Sequence, residues 1–333
     1  MRRGWRRLAV RLHAWTGLLA GPLLVVLGLS GTALVFRSEL DEMLAGPPPL
    51  AGVAMSAPSL DAVLRAALLP HPGAEPRALR IAEDARRPYR VEVVRGGQRI
   101  DVDVDPSTLR VVRSRSPERS VLAAVHALHA AFHAGRAGAL IVAALGLWLA
   151  VEGVTGLWLY GGSVTPRGSV RRRGSSRTVH RVVGAVSLAA GLLLGLTGTL
   201  LALASALAPS GGGASRLPGR LERLDAIVAG VETASPGARI VAVVAESDRL
   251  TRVDVRAATG EVGTIRVDRS SGGVTAGGMA RATAWDVVRR LHAGDFAGWL
   301  SRALYAAVGL ALAVLAMTGF VIAARRHSSK VLT

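Results

Sequence analysis

At 333 residues the chain is long enough for one large domain or two ordinary ones. Half of it is apolar but only 4% aromatic and 19% charged, and the apolar residues gather into long runs of Ala, Leu and Val, which points to lipid-spanning segments. The net charge of +18 and the absence of cysteine exclude disulfides, thiolate metal sites, iron–sulfur clusters and covalently attached haem, and raise the question of a polyanionic partner.

The first segment, residues 1–36, joins a basic start (Arg2, Arg3, Arg6, Arg7, Arg11) to an apolar run from Ala14 to Phe36. That run is too long for a secretion signal and has no small-residue cleavage site before Glu39, so we expect a retained span. Residues 37–136 form an extracytoplasmic domain and the lead-in to the second span. It reads as a short amphipathic helix, a Pro72-Gly73 turn and alternating strands in YRVEVV and RIDVDVD. Span two covers 137–160 and is followed by a basic link at 161–181 containing Arg167, Arg171, Arg172, Arg173, Arg177 and Arg181. Span three covers 182–207. Residues 208–302 hold a second extracytoplasmic domain, with strands in TRVDVR and GTIRVD, and the lead-in to span four at 303–324; a tail follows at 325–333 with Arg325, Arg326 and Lys330.

The start, the link and the tail contain no Asp or Glu. By the positive-inside rule they face the cytoplasm, so both termini are expected inside and both large loops outside. The excess charge thereby finds its partner in anionic lipid head groups, and nucleic acid is set aside.

The chain also matches itself. Without gaps, His13 falls on His180, Gly17 on Gly184, and Gly28-Leu29-Ser30-Gly31-Thr32 on Gly195-Leu196-Thr197-Gly198-Thr199. Leu128-His129 matches Leu291-His292, and Thr155-Gly156 matches Thr318-Gly319. The loop sequence LDAVLRAALLPHPGAEPRAL matches LDAIVAGVETASPGARIVAV, and Val104-Asp105 matches Val267-Asp268. Two spans per copy mean that the copies enter the membrane in the same direction, as parallel repeats, so matched residues sit at equal depth. The shared Gly and Thr positions are expected to serve helix packing.

Four of the eight histidines are matched in this way. His13 and His180 belong at the cytoplasmic end, His129 and His292 at the outer end. Paired imidazoles from two helices at one depth suit bis-histidyl ligation of haem b, one site at each face, with Gly17 and Gly184, one turn after the first pair, expected to make room for the flat macrocycle; zinc or copper is the competing metal, and plain interfacial histidines the competing structure. His126 and His133, three before and four after His129, are expected on its helix face as accessory groups without a matched partner. Glu152 is a carboxyl inside span two, opposite Leu315 in the alignment; it is expected to pair with a histidine or arginine near the inner site or to relay a proton, and a buried protonated carboxyl is the competing reading. There is no Gly-rich dinucleotide fingerprint and no flavin motif.

The LHxWxGL opening at Leu12, GLSGTALVF at the end of span one, LHxxF leading into span two with its closing TGLWLY, and the Val104-Asp105-Pro106 turn resemble the PepSY-associated transmembrane proteins over nearly the whole chain. In the second loop the turn reads Val267-Asp268-Arg269, a departure from that pattern. The resemblance implies a membrane α-helical fold: a four-helix transmembrane bundle from two parallel repeats, each with an inserted small α+β (PepSY-like) domain. It also implies haem ligation by His13, His180, His129 and His292 in a bacterial inner-membrane protein that reduces ferric siderophores at the periplasmic face during iron uptake, fed by a reductase or the quinol pool. The alternative within the family is a non-catalytic module that binds or regulates an extracytoplasmic peptidase, receptor or transporter.

Overall fold

The computed structural model describes residues 2–46, 50–52, 57–82, 84, 86–161, 176–208, 219–257, 262–268, 274–275 and 283–331. In chain order these form α1 (Arg2–Val35), α2 (Arg37–Ala45), α3 (Leu60–Leu68), β1 (Glu75–Arg80), β2 (Tyr89–Arg95), β3 (Gln98–Val104), β4 (Val111–Arg115), α4 (Val121–Ala131) and α5 (Gly135–Gly161). Apart from α2, which has no counterpart among the described residues, the second half runs in the same order: α6 (Ser176–Leu207), α7 (Leu224–Ala234), β5 (Arg239–Ala245), β6 (Leu250–Arg256), β7 (Val262–Asp268), β8 (Val274–Thr275), α8 (Ala284–Ala293) and α9 (Gly298–Val331). Arg167, Arg171, Arg172 and Arg173 of the basic link and Arg269 of the second loop's turn lie outside the described residues. The chain divides into a helical body, Met1–Asp41 with Val121–Ala208 and Ala282–Thr333, and a sheet body, Glu42–Ser120 with Pro209–Arg281.

Four helices of the helical body are long and apolar enough to cross a bilayer: Gly4–Val35, Gly135–Leu159, Ser176–Leu207 and Gly298–Arg325. Between 22 and 33% of each span's most apolar stretch is fully buried in protein, and exposed apolar side chains such as Leu19 and Val186 point outward, as a lipid-facing surface requires. The chain is a multi-pass membrane protein. Its closest helix packings run between the halves, α1 on α9 and α5 on α6. Gly28 lies on Gly309, where a Cβ on Gly28 would stand 2.5 Å from the Gly309 carbonyl oxygen; Gly195 lies in the same way on Gly146, at 2.7 Å. Thr32 donates to Ala306 O at 3.3 Å and Thr199 to Ala143 O at 3.1 Å. The shared Gly and Thr positions thus let two backbones meet and then tie them together, as packing in lipid requires.

In the sheet body the described strands make one antiparallel sheet of eight, ordered β4-β3-β2-β1-β5-β6-β7-β8. The two loop modules join edge to edge through β1 and β5, where Leu79 pairs with Val243, its own match in the alignment. Strand alternation puts Val91, Val93, Val102, Val253, Val255 and Ile265 on one face with Leu79 and Val243, under α3 and α7, in a single shared core. Each fully buried Val or Leu there contributes about 1.5–3 kcal/mol. The opposite face carries cross-strand ion pairs such as Arg90 with Asp103. The helices are capped across the modules: Asp225 accepts from Leu60 N–H at 2.7 Å, and Asp61 accepts from Leu224 N–H at 2.8 Å. Asp105 of the Val-Asp-Pro turn accepts from the N–H groups of Ala51 and Ser107 and from the Ser107 hydroxyl.

Candidate functional site

The matched histidines meet in the helical body. His13 on α1 and His180 on α6 have ring centres 6.4 Å apart at an interplanar angle of 82°. His129 on α4 and His292 on α8 are 6.2 Å apart at 46°. Their separation can be counted along α1: His13 is one landmark and Ser30, which touches His129, the other, and seventeen residues of helix span about 25 Å.

Every ring is oriented through Nδ1 by the helix it lies against. His180 bonds Thr318 Oγ1 at 3.0 Å and Leu315 O at 3.1 Å. His129 bonds Ser30 Oγ at 3.0 Å and Leu27 O at 3.1 Å, and His292 bonds Thr197 Oγ1 at 3.1 Å and the Leu194 backbone. A carbonyl oxygen can only accept, so Nδ1 carries the proton in His180 and His129, and the Nε2 of a neutral ring is left with a lone pair. His13 differs. Its Nδ1 lies 3.2 Å from Thr155 Oγ1 and 2.5 Å from Glu152 Oε2, and Thr16 Oγ1 donates to Glu152 Oε1. Among the described residues no protein hydrogen bond reaches Nε2 of any of the four rings.

Glycines flank the rings. A Cβ would stand 3.0 Å from Cε1 of His129 at Gly31 and 3.0 Å from Cε1 of His292 at Gly198. The corresponding distances to His13 and His180 are 3.4 Å at Gly156 and 3.7 Å at Gly319. A model of the PepSY-associated transmembrane region matches residues 10–326. The chain belongs to the PepSY-associated transmembrane family. A comparison with curated proteins found no match.

Three sequence expectations change in this PepSY-associated protein. His133 does not share a helix face with His126 and His129, because α4 ends at Ala131 and Phe132 and His133 both take left-handed backbone, φ 47° and 58°. The turn into α5 breaks the helix that the four-residue spacing assumed; in the second half Gly294 and Gly298 make the equivalent turn with positive φ. Second, Ser30, Thr197, Thr155 and Thr318 do more than pack, since their hydroxyls hold the imidazoles. The signal was present, because each is followed directly by a glycine in all four segments. Third, Gly17 and Gly184 lie beside Glu152 and Leu315 rather than against the rings. Glu152, with its side chain 12% exposed, pairs with His13, while His126 stays on α4.

Proposed function

We propose that this chain is a haem b-dependent transmembrane electron-transfer protein that reduces ferric siderophores or similar ferric chelates in iron uptake. The observation that carries the reading is the meeting of four matched histidines as two pairs, each ring fixed through Nδ1 with Nε2 left over. The ring spacing suits one metal centre held between each pair: two metal–imidazole bonds of about 2.0–2.1 Å, with about 1 Å more from nitrogen to ring centre on each side, would need ring centres about 6 Å apart, against the 6.4 and 6.2 Å found.

The donor sets fit as well. Two nitrogens complete an iron whose other positions a macrocycle fills, whereas a structural zinc takes four protein ligands. Among the described residues no group of three or more His, Cys, Asp or Glu is placed to hold a metal ion. His13 and His180 would hold one haem, and His129 and His292 the other, with Gly31 and Gly198 letting the His129 and His292 rings lie close against the neighbouring helix. Haem held there supplies reversible one-electron chemistry at two depths of the membrane.

The acid-free basic start, link and tail favour the cytoplasmic face of the bacterial inner membrane, which makes His13–His180 the inner pair and places both loop modules outside. Electrons enter from a separate reductase or from quinol. One electron per chelated iron converts Fe(III) to Fe(II), which hard oxygen ligands hold less tightly. The test is an absorption spectrum of protein purified from haem-replete cells. Dithionite-shifted b-type bands are expected, with His13→Ala and His292→Ala each removing about half of the haem. A colourless preparation refutes the proposal.

A further inference from the structure

Three of the four histidine rings give Nδ1 to uncharged groups only: Leu315 O and Thr318 for His180, Leu27 O and Ser30 for His129, and the Leu194 backbone and Thr197 for His292. His13 alone faces a carboxylate, Glu152 Oε2 at 2.5 Å. The exception falls at a matched position. Glu152 aligns with Leu315, whose backbone carbonyl serves the twin ring, so a side-chain oxygen replaces a main-chain oxygen in one copy and not in the other. Thr16 fixes the second carboxylate oxygen and Thr155 the same ring nitrogen.

We propose that Glu152 is a positioning residue that makes the two haem sites electronically unequal, holding the His13–His180 site at the lower reduction potential; this rests on reading both pairs as haem sites. A carboxylate accepting the Nδ1–H raises the basicity of the opposite nitrogen, and a more basic axial ligand favours the more highly charged iron state. The side chain is largely shielded from water, where a charge is felt more strongly than at a surface. The consequence is direction: the inner site gives its electron up more readily than the outer site, which favours outward transfer.

The experiment is a spectroscopic redox titration of the purified, haem-loaded full chain. Two resolved couples are expected in the wild type, and His13→Ala should leave only the higher one. Glu152→Leu, which installs the residue of the twin position, should raise the lower couple and leave the higher one in place, narrowing the gap. Glu152→Gln, which keeps a hydrogen-bonding oxygen, should raise it less. Leu315→Glu should push the same couple further down. A colourless wild type defeats the haem reading itself. A haem-loaded wild type whose couples are unmoved in Glu152→Leu and Glu152→Gln overturns this inference and leaves the haem reading standing. If Glu152→Leu loses haem, the Glu152→Gln titration decides: a raised lower couple supports the inference and an unmoved one overturns it.

Discussion

Replacing Gly28 by Ala tests the helix packing that holds the histidine-bearing helices together. The added methyl would stand 2.5 Å from the Gly309 carbonyl oxygen, where ordinary contact begins at 3.4 Å. The obstacle is backbone, so no rotamer change can clear it, and α1 and α9 must part by nearly 1 Å. A gap of that size forfeits a quarter to a half of each dispersion contact along the seam, and overpacking of this kind costs about 1–3 kcal/mol. Alanine returns roughly 0.5–1 kcal/mol through its better helix propensity, leaving a net loss of up to about 2.5 kcal/mol, and about 1–3 kcal/mol relative to a glycine-to-alanine change that meets no obstacle. Gly195→Ala, at 2.7 Å from Gly146 O on the other helix pair, should cost about the same, and the two should add because they share no partner. The assay is thermal unfolding in detergent micelles, with Gly191→Ala as control, because nothing lies within 4 Å of a Cβ there. Should Gly28→Ala unfold at the midpoint of Gly191→Ala, α1 and α9 are not in backbone contact.

On the proposed haem reading, removing the hydroxyls that orient His129 and His292, Ser30→Ala with Thr197→Val, should weaken haem binding there by about 10–100-fold, seen as loss of one of two equivalents in a haem titration, with the His13–His180 site unchanged. In the sheet body, burial opposes ionisation of Asp105, but the Ala51 and Ser107 donors outweigh it and hold the carboxyl down to about 2 from an ordinary 3.8. A depressed folded-state value means that the stabilisation is complete above about pH 4 and disappears as pH falls through about 2. Acid unfolding followed by circular dichroism should therefore be flatter over that window in Asp105→Asn than in the wild type, and identical slopes would contradict the assigned hydrogen bonds.

The spans were legible because uninterrupted Ala, Leu and Val have only one use at that length, and the helices differ from the apolar runs chiefly by extending into flanking polar residues. The ring pairs could be anticipated because ungapped matching fixes depth without any knowledge of packing. The single sheet could not. Whether β1 and β5 pair depends on two open edges finding each other, and EPRALR, short and opening on Glu-Pro, carries no alternation that would announce an inner strand. The Ser-Gly and Thr-Gly pairs marked the hydroxyl positions without fixing their role: a Ser or Thr directly before a glycine serves packing and hydrogen bonding equally well, and only the neighbouring helix decides between them. Glu152 was conspicuous as a charge in an apolar run, yet its choice of His13 depended on α1 lying against α5.

A chain made of two matching halves invites the idea that each half is a protein in itself, and the contacts argue against it. Span one packs most closely on span four and span two on span three, so each half alone exposes the Gly28 or Gly195 seam. The N-terminus of α7, whose own N-cap position makes no side-chain bond, is capped by Asp61 of the first half, and losing such a cap costs about 0.5–2 kcal/mol; at α3, Asp225 adds a bond to Leu60 N–H beside that helix's own Ser59 cap. Each imidazole pair draws one ring from each half. Residues 1–161 expressed alone should therefore fail to accumulate as a folded membrane protein or to bind haem. The same piece co-expressed with residues 176–333 should copurify with it and regain both, since a break in the basic link cuts none of these contacts. A stable, haem-binding first half on its own would mean that identical halves can pair with each other, making the twofold arrangement a property of the unit rather than of the joined chain. Size-exclusion of that fragment, reading two copies against one, separates the outcomes.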